Sequence, residues 1–123
     1  MEIRFDGKAA IVTGSGSGIG RVIARTLAEC GANVTIADIN FQAARATAAE
    51  IENDFGVRAL PLKVDVSKQA DADRMVARTV AKFGRVDILV NNAGLSFPVP
   101  FTELSDRDWS RMLAVNLTGT MRC

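Results

Sequence analysis

The sequence predicts a doubly wound α/β domain, a parallel sheet with helices on both faces. Three observations lead there. Short apolar runs alternate with longer stretches whose apolar residues recur at helical spacing, the pattern of parallel strands joined by crossover helices. The strand-like runs are apolar throughout rather than at every second position, so both of their faces are covered. A glycine-rich turn joins the first run to the helix after it.

The first strand is Ala9-Ala10-Ile11-Val12-Thr13. Glycines between positions 14 and 20 lead into a helix that carries Ile23, Leu27 and Cys30 and is closed by Gly31, a residue suited to a helix C-terminus. The second strand runs from Asn33 to Asp38. A helix from about Asn40 to Phe55 then places Phe41, Ala44, Ala48, Ile51 and Phe55 on one stripe. The third strand, Ala59 to Val66, contains Pro61. Proline donates nothing to a ladder, so this strand belongs at an edge, which fits the strand order 3-2-1-4.

Ser67 is placed to cap the next helix, whose inward residues are read as Ala72, Val76, Val80 and Phe83 and which Gly84 ends. The fourth strand is Val86-Asp87-Ile88-Leu89-Val90, and Asn91-Asn92-Ala93-Gly94 turns out of it. A loop with Pro98 and Pro100 leads to the last helix. There Ser105 followed by Asp108 resembles a capping box with an acid in place of Glu or Gln. This helix carries Trp109, Leu113 and Leu117 and is still running at Cys123. With no repeat, linker or low-complexity tract, residues 1–123 read as the N-terminal part of a single domain, truncated within the helix after strand four.

Composition narrows the function. The 123 residues are 48% apolar and 24% charged, an ordinary globular balance. Net charge is +1 with acids and bases interspersed, and no basic stripe tracks a phosphate backbone, so nucleic acid is not an expected partner. No apolar run reaches the ~20 residues that cross a bilayer. The start Met1-Glu2-Ile3-Arg4-Phe5-Asp6 lacks the apolar stretch of a secretory signal. A cytoplasmic protein without a membrane partner is expected. Cys30 and Cys123 are far apart with no companion ligands, giving neither a disulfide framework nor a metal site; Cys30 is read as a small buried apolar residue. There is no histidine and no tyrosine, so these residues hold no Ser-His-Asp nucleophile and no phenolic acid/base.

The glycine turn reads Thr13-Gly14-Ser15-Gly16-Ser17-Gly18-Ile19-Gly20. Its glycines permit a tight turn, bring bare backbone close to a pyrophosphate and let the helix pack on the strand. Amides of the helix's first turn then face the anion, aided by the macrodipole; Ser15 and Ser17 can add hydroxyl donors. Without a ligand the same residues would be a flexible turn, but their place between a buried strand and a helix points to a nucleotide. The glycine spacing differs from that of long-chain dehydrogenases, and no Gly-Lys-Ser/Thr follows to make a Walker loop.

Asp38 closes the second strand, where a carboxylate accepts both ribose hydroxyls of an adenosine and repels a 2′-phosphate. The positions at which a base would signal NADP hold Ile39, Ser17 and Gly16. NAD is therefore favoured over NADP. Asp38 also stands where it could cap the helix starting near Asn40, a role compatible with the first.

Taken together, Thr13-Gly14-Ser15-Gly16-Ser17-Gly18-Ile19-Gly20, Asp65-Val66, Asn91-Asn92-Ala93-Gly94 and Val115-Asn116 resemble the short-chain dehydrogenase/reductase superfamily of classical type. The resemblance spans the whole chain and implies a Rossmann-type fold. It implies that the loop residues Gly14, Gly16, Ser17, Gly18, Ile19 and Gly20 bind the cofactor, together with Asp38 and Ile39. Asp65 is expected at the adenine amino group, with the Val66 backbone alongside. Asn92, Ala93 and Gly94 are expected beside the cofactor ribose, with Asn91 holding the fourth strand. Asn116 resembles the asparagine of the family's catalytic Asn-Ser-Tyr-Lys tetrad, which distorts its helix and holds a water; a satisfied buried amide is the alternative.

The family chemistry is hydride transfer between a nicotinamide and an alcohol or carbonyl, with a tyrosine as acid/base beside a lysine and a serine. No residues here match those three, so the chain by itself is expected to be inactive. In a longer form the last helix is expected to build a homodimer or homotetramer. Two other functions stay open: a non-catalytic NAD-binding module and an inert truncated product. Phe97, Pro98 and Phe101 either line a wall of the substrate pocket or pack under the last helix.

Overall fold

The computed structural model describes residues 1–123. Its elements are β1 (Ala9–Thr13), α1 (Gly18–Glu29), β2 (Asn33–Asp38), α2 (Phe41–Phe55), β3 (Ala59–Lys63), α3 (Gln69–Phe83) and β4 (Ile88–Val90). A 3-10 turn at Phe101–Glu103 then precedes α4 (Asp106–Leu113), which passes through a π-helical segment, Ala114–Gly119, into α5 (Thr120–Arg122). The sheet has the order β3-β2-β1-β4, and every pairing is parallel. This is the doubly wound α/β arrangement that the alternating runs predict.

β1 is buried along its whole length because it has a strand on each side and helices on each face. Its side chains alternate between two cores, as strand geometry requires. Ala10 and Val12 join Ala24 and Ala28 of α1 and Ala44, Ala48 and Ile51 of α2. On the opposite face, Ile11 packs with Leu60, Leu62, Val64, Val66 and Met75. The start of β4 is pinned to β1 by Asp87, which accepts a hydrogen bond from the Ala9 amide at 2.9 Å and pairs with Arg85 at 2.7 Å and Lys8 at 3.9 Å. The Arg85 hydrogen bond, then that of the Ala9 amide, lowers the Asp87 pKa from 3.8.

Pro61 of β3 sits opposite Ile36 on an edge strand, where its missing N–H costs no ladder bond. β3 is shorter than the apolar run suggests. Regular pairing stops at Lys63, and Val64–Val66 continue extended, with the Val64 amide donating to the Asp38 carbonyl at 3.0 Å. β4 likewise covers only Ile88–Val90.

The helix ends divide. Asn40 caps α2 through a bond from the Ala43 amide at 3.1 Å, and Ser105 caps α4 by accepting from the Asp108 amide at 3.1 Å. Ser67 is not a cap: Lys68 holds that place without a side-chain bond, while the Ser67 hydroxyl donates to Asp65 at 2.5 Å. Cys30 is the half-buried C-cap of α1 rather than a buried core residue.

The inward face of α3 consists of Ala72, Met75 and Thr79, whereas Val76 is 39% and Val80 44% exposed. Ala72 is buried and Phe83 packs against the core as the sequence predicts, but Val76 and Val80 give way to Met75 and Thr79, because the core here includes a polar contact. The Thr79 hydroxyl donates to the Met75 carbonyl at 2.8 Å and meets the Thr35 hydroxyl at 2.7 Å. Phe41 also lies outside the α2 core, and Trp109, Leu113 and Leu117 are exposed. No helix is long and apolar enough to cross a membrane.

Candidate functional site

A cleft of about 540 Å³ opens at the carboxyl ends of the strands. This is where the strand order reverses between β1 and β4, the place at which open α/β sheets bind ligands. The glycine turn supplies one wall through Gly14 and Ser17, and β2 supplies Asp38 and Ile39. The segment after β3 supplies Val64, Asp65, Val66 and Ser67. The exit of β4 adds Asn92, Ala93, Gly94 and Leu95, and the last helix adds Arg111, Ala114 and Val115.

The glycine turn is held from inside. Ser15 is fully buried, and its hydroxyl donates to the Val12 carbonyl at 2.6 Å. It is therefore spent on the turn and offers no donor to the cleft, which corrects the expectation from sequence. The Thr47 hydroxyl donates to the Gly16 carbonyl at 3.1 Å, tying the turn to α2. The Asn92 amide nitrogen donates to the Thr13 and Gly14 carbonyls at 3.1 and 3.2 Å. A β-carbon at Gly20 would run into the Gly14 carbonyl and the Asn92 amide. A side chain cannot be fitted there without moving the turn.

At the mouth of the turn the arrangement is open. Ser17 occupies the N-cap of α1 but makes no side-chain cap bond, and the first turn holds no acid. Ser17, Gly18 and Ile19 are exposed. The leading amides of an α-helix have no partner within it, so this end is left ready for an external anion.

Both cleft carboxylates are fixed by backbone. Asp38 Oδ2 accepts from the Gly16 amide at 2.9 Å, and Oδ1 accepts from the Asn40 amide at 2.9 Å. It thus braces the turn and the α2 entry together, with lone pairs remaining for a further donor. Asp65 Oδ1 accepts from the Ser67 amide at 3.0 Å and from its hydroxyl. The Asp65 amide in turn donates to Asp71 at 2.9 Å.

Of the residues selected from sequence, Gly14, Ser17, Asp38, Ile39, Asp65, Val66, Asn92, Ala93 and Gly94 line this cleft. Gly18 and Ile19 stand at its helical mouth, while Gly16 and Gly20 are buried in the packing behind it. Asn116 is elsewhere, beside Asn91, Ser96 and Thr120 in a second, smaller hollow. Its side chain is exposed and grips one backbone unit twice, accepting from the Leu95 amide at 2.7 Å and donating to the Leu95 carbonyl at 2.8 Å. It is a satisfied amide, though not a buried one, and it sits within the π-helical segment. Asn91 is exposed, and it is Asn92 that secures the end of β4. Arg111 and Ala114 were missed, and Val115 entered only through the Val115-Asn116 motif; their helical spacing from one another was the available signal.

An open parallel sheet with a glycine turn, a strand-end acid and a crevice at its switch point defines a Rossmann-type domain. The chain belongs to the short chain dehydrogenase family, whose model matches residues 8–123. It is 47% identical to a sorbitol dehydrogenase of Cereibacter sphaeroides over 97% of this chain and 45% of that protein. The structure of a 3-ketoacyl-(acyl-carrier-protein) reductase from Brucella melitensis, complexed with NADH, superposes with a TM-score of 0.88 at 40% identity, covering 95% of this chain and 47% of the other. L-Sorbose reductase from Gluconobacter frateurii, complexed with NADPH and L-sorbose, gives a TM-score of 0.93 at 34% identity over 99% and 46% of the two chains. The chain thus spans about half the length of the relatives it matches.

Proposed function

We propose that this chain is the NAD-binding part of an oxidoreductase that moves hydride between a nicotinamide and an alcohol or carbonyl carbon. The observation that carries the reading is the meeting, in one cleft, of an uncapped helix N-terminus with two backbone-braced carboxylates, Asp38 and Asp65. The parts suit a dinucleotide. The leading amides of α1 match a diphosphate, and close packing at Gly16 and Gly20 keeps side chains out of the turn. Asp38 is assigned to the adenosine ribose, Asp65 and Val66 to adenine, and Asn92, Ala93 and Gly94 to the neighbouring ribose. Asn116 is assigned to holding Leu95, and through it the cleft floor.

NAD is favoured over NADP because Asp38 places negative charge where a 2′-phosphate would lie and Ile39 supplies no cation beside it. The nicotinamide supplies the hydride chemistry when bound; these residues hold the diphosphate, adenine and ribose parts of the dinucleotide. They include no tyrosine and no histidine, so proton transfer falls to groups outside them. The small-molecule alcohol or carbonyl substrate and assembly through the last helix belong to the longer protein of the proposal.

Calorimetric titration of the chain with NAD, and separately with NADP, tests this. NAD is expected to bind more tightly, with no alcohol oxidation by the 123-residue polypeptide. Failure of both nucleotides to bind would remove the assignment. Tighter binding of NADP would remove only the role given to Asp38.

A further inference from the structure

Most arginines of this protein already have acceptors. Arg4, Arg21, Arg25, Arg74 and Arg85 are in ion pairs, and Arg58 and Arg122 donate to carbonyls. Arg111 has neither. It is also the one cationic side chain lining the cleft, in which Asp38 and Asp65 are the acids. Its guanidinium carbon lies 5.6 Å from the centroid of Phe97, which is half-buried in the loop after β4. An arginine supported by a ring, with its donors unused and set in a cleft wall, is placed for a ligand.

Position decides which part of a ligand. Arg111 precedes Ala114 and Val115 by one helical turn and shares their face. Those two residues, with Val66, make an apolar wall that suits a flat base. A phosphate, by contrast, is served by the leading amides of α1 at the glycine turn. A guanidinium is planar and stacks on aromatic faces, which an ammonium does not do equally well.

We infer that Arg111 stacks on the adenine ring of the dinucleotide, with Phe97 supporting its other face, and so sets affinity for the adenosine half of the cofactor. This rests on the dinucleotide reading above. It makes Arg111 a binding residue of the adenosine subsite, added to Asp38, Asp65 and Val66.

The test is calorimetric titration of the chain and of Arg111→Ala, Arg111→Lys and Phe97→Leu with NAD, AMP and NADP, at low and at high salt. Arg111→Ala is expected to weaken NAD and AMP to the same extent, about fivefold, the scale of a partly exposed cation–π contact. The loss should persist at high salt; Arg111→Lys should recover only part of it, and Phe97→Leu should show a smaller loss of the same pattern. Unchanged AMP affinity in Arg111→Ala overturns the inference, as does a loss that disappears in salt, which marks a phosphate contact. A loss confined to NADP also overturns it, by making Arg111 a reader of the 2′-phosphate. If the unaltered chain binds neither NAD nor AMP, the dinucleotide reading fails and this assignment fails with it; in the other cases that reading stands.

Discussion

Gly20→Ala isolates the mechanical part of the site. The new methyl would press on the Gly14 carbonyl and on the Asn92 amide. Neither neighbour gives way easily: one is backbone, and the other is held by bonds of 3.1 and 3.2 Å to the Thr13 and Gly14 carbonyls. Overpacking of this kind costs about 2 kcal/mol, and losing two hydrogen bonds adds about 1 kcal/mol each. Alanine's better helix propensity returns about 1 kcal/mol. The net is a loss of about 3 kcal/mol, large beside the 5–15 kcal/mol typical of whole domains. Gly18→Ala is the control, since a β-carbon there meets nothing within 4 Å and only the left-handed φ of +56° opposes it. That strain costs about 1–2 kcal/mol. Urea unfolding of the three proteins, with and without NAD, measures both terms. A Gly20→Ala protein no less stable than Gly18→Ala would refute the claim that the turn is fixed by close packing rather than by backbone conformation.

Other perturbations probe separate parts. Asp38→Ala removes the acceptor of the Gly16 and Asn40 amides and is expected to cost about 2 kcal/mol of stability; in paired titrations NAD is expected to lose affinity relative to NADP. Thr79→Val leaves the buried Thr35 hydroxyl without its acceptor, a loss of about 1–3 kcal/mol by chemical denaturation that the double variant with Thr35→Val partly restores. Asp87 has its pKa lowered by Arg85 first and the Ala9 amide next. Its contribution to stability is therefore present above the ordinary carboxylate range and is lost as pH falls through the lowered value. Asp87→Asn is expected to reduce stability at neutral pH and to flatten the acid side of a Tm-against-pH curve.

The sheet order was legible because one residue, Pro61, excludes β3 from the centre, and because the apolar runs fix which segments are strands. The cleft was legible where its residues carry unusual chemistry: the glycines, Asp38, Asp65 and the Asn-Asn-Ala-Gly exit. Elsewhere the sequence misleads for physical reasons. Val76 and Val80 look like core residues, but the helix is turned to pair Thr79 with Thr35, and a hydroxyl pair leaves no trace in an apolar pattern. Ser67 looks like a cap, but α3 starts at Gln69 and puts Lys68 at the cap position, while the Ser67 hydroxyl donates to Asp65 two residues earlier. Ser15 looks like a ligand donor, yet a carbonyl three residues earlier captures it. Arg111 is indistinguishable from any surface arginine until the last helix is seen folded against the segment after β3.

Thr13, the last residue of the central strand, accepts through its hydroxyl from the amides of both Asn92 and Ala93, at 3.1 and 3.0 Å. The end of β1 and the exit of β4 thus meet at one side chain that is itself sealed from solvent. Amide protons beneath that point, in Ile11 and Val12, can be released to deuterium only when the sheet comes apart, whereas those at Gly18 and Ile19 face water throughout. The glycine turn is therefore anchored at its buried end and open to solvent where α1 begins.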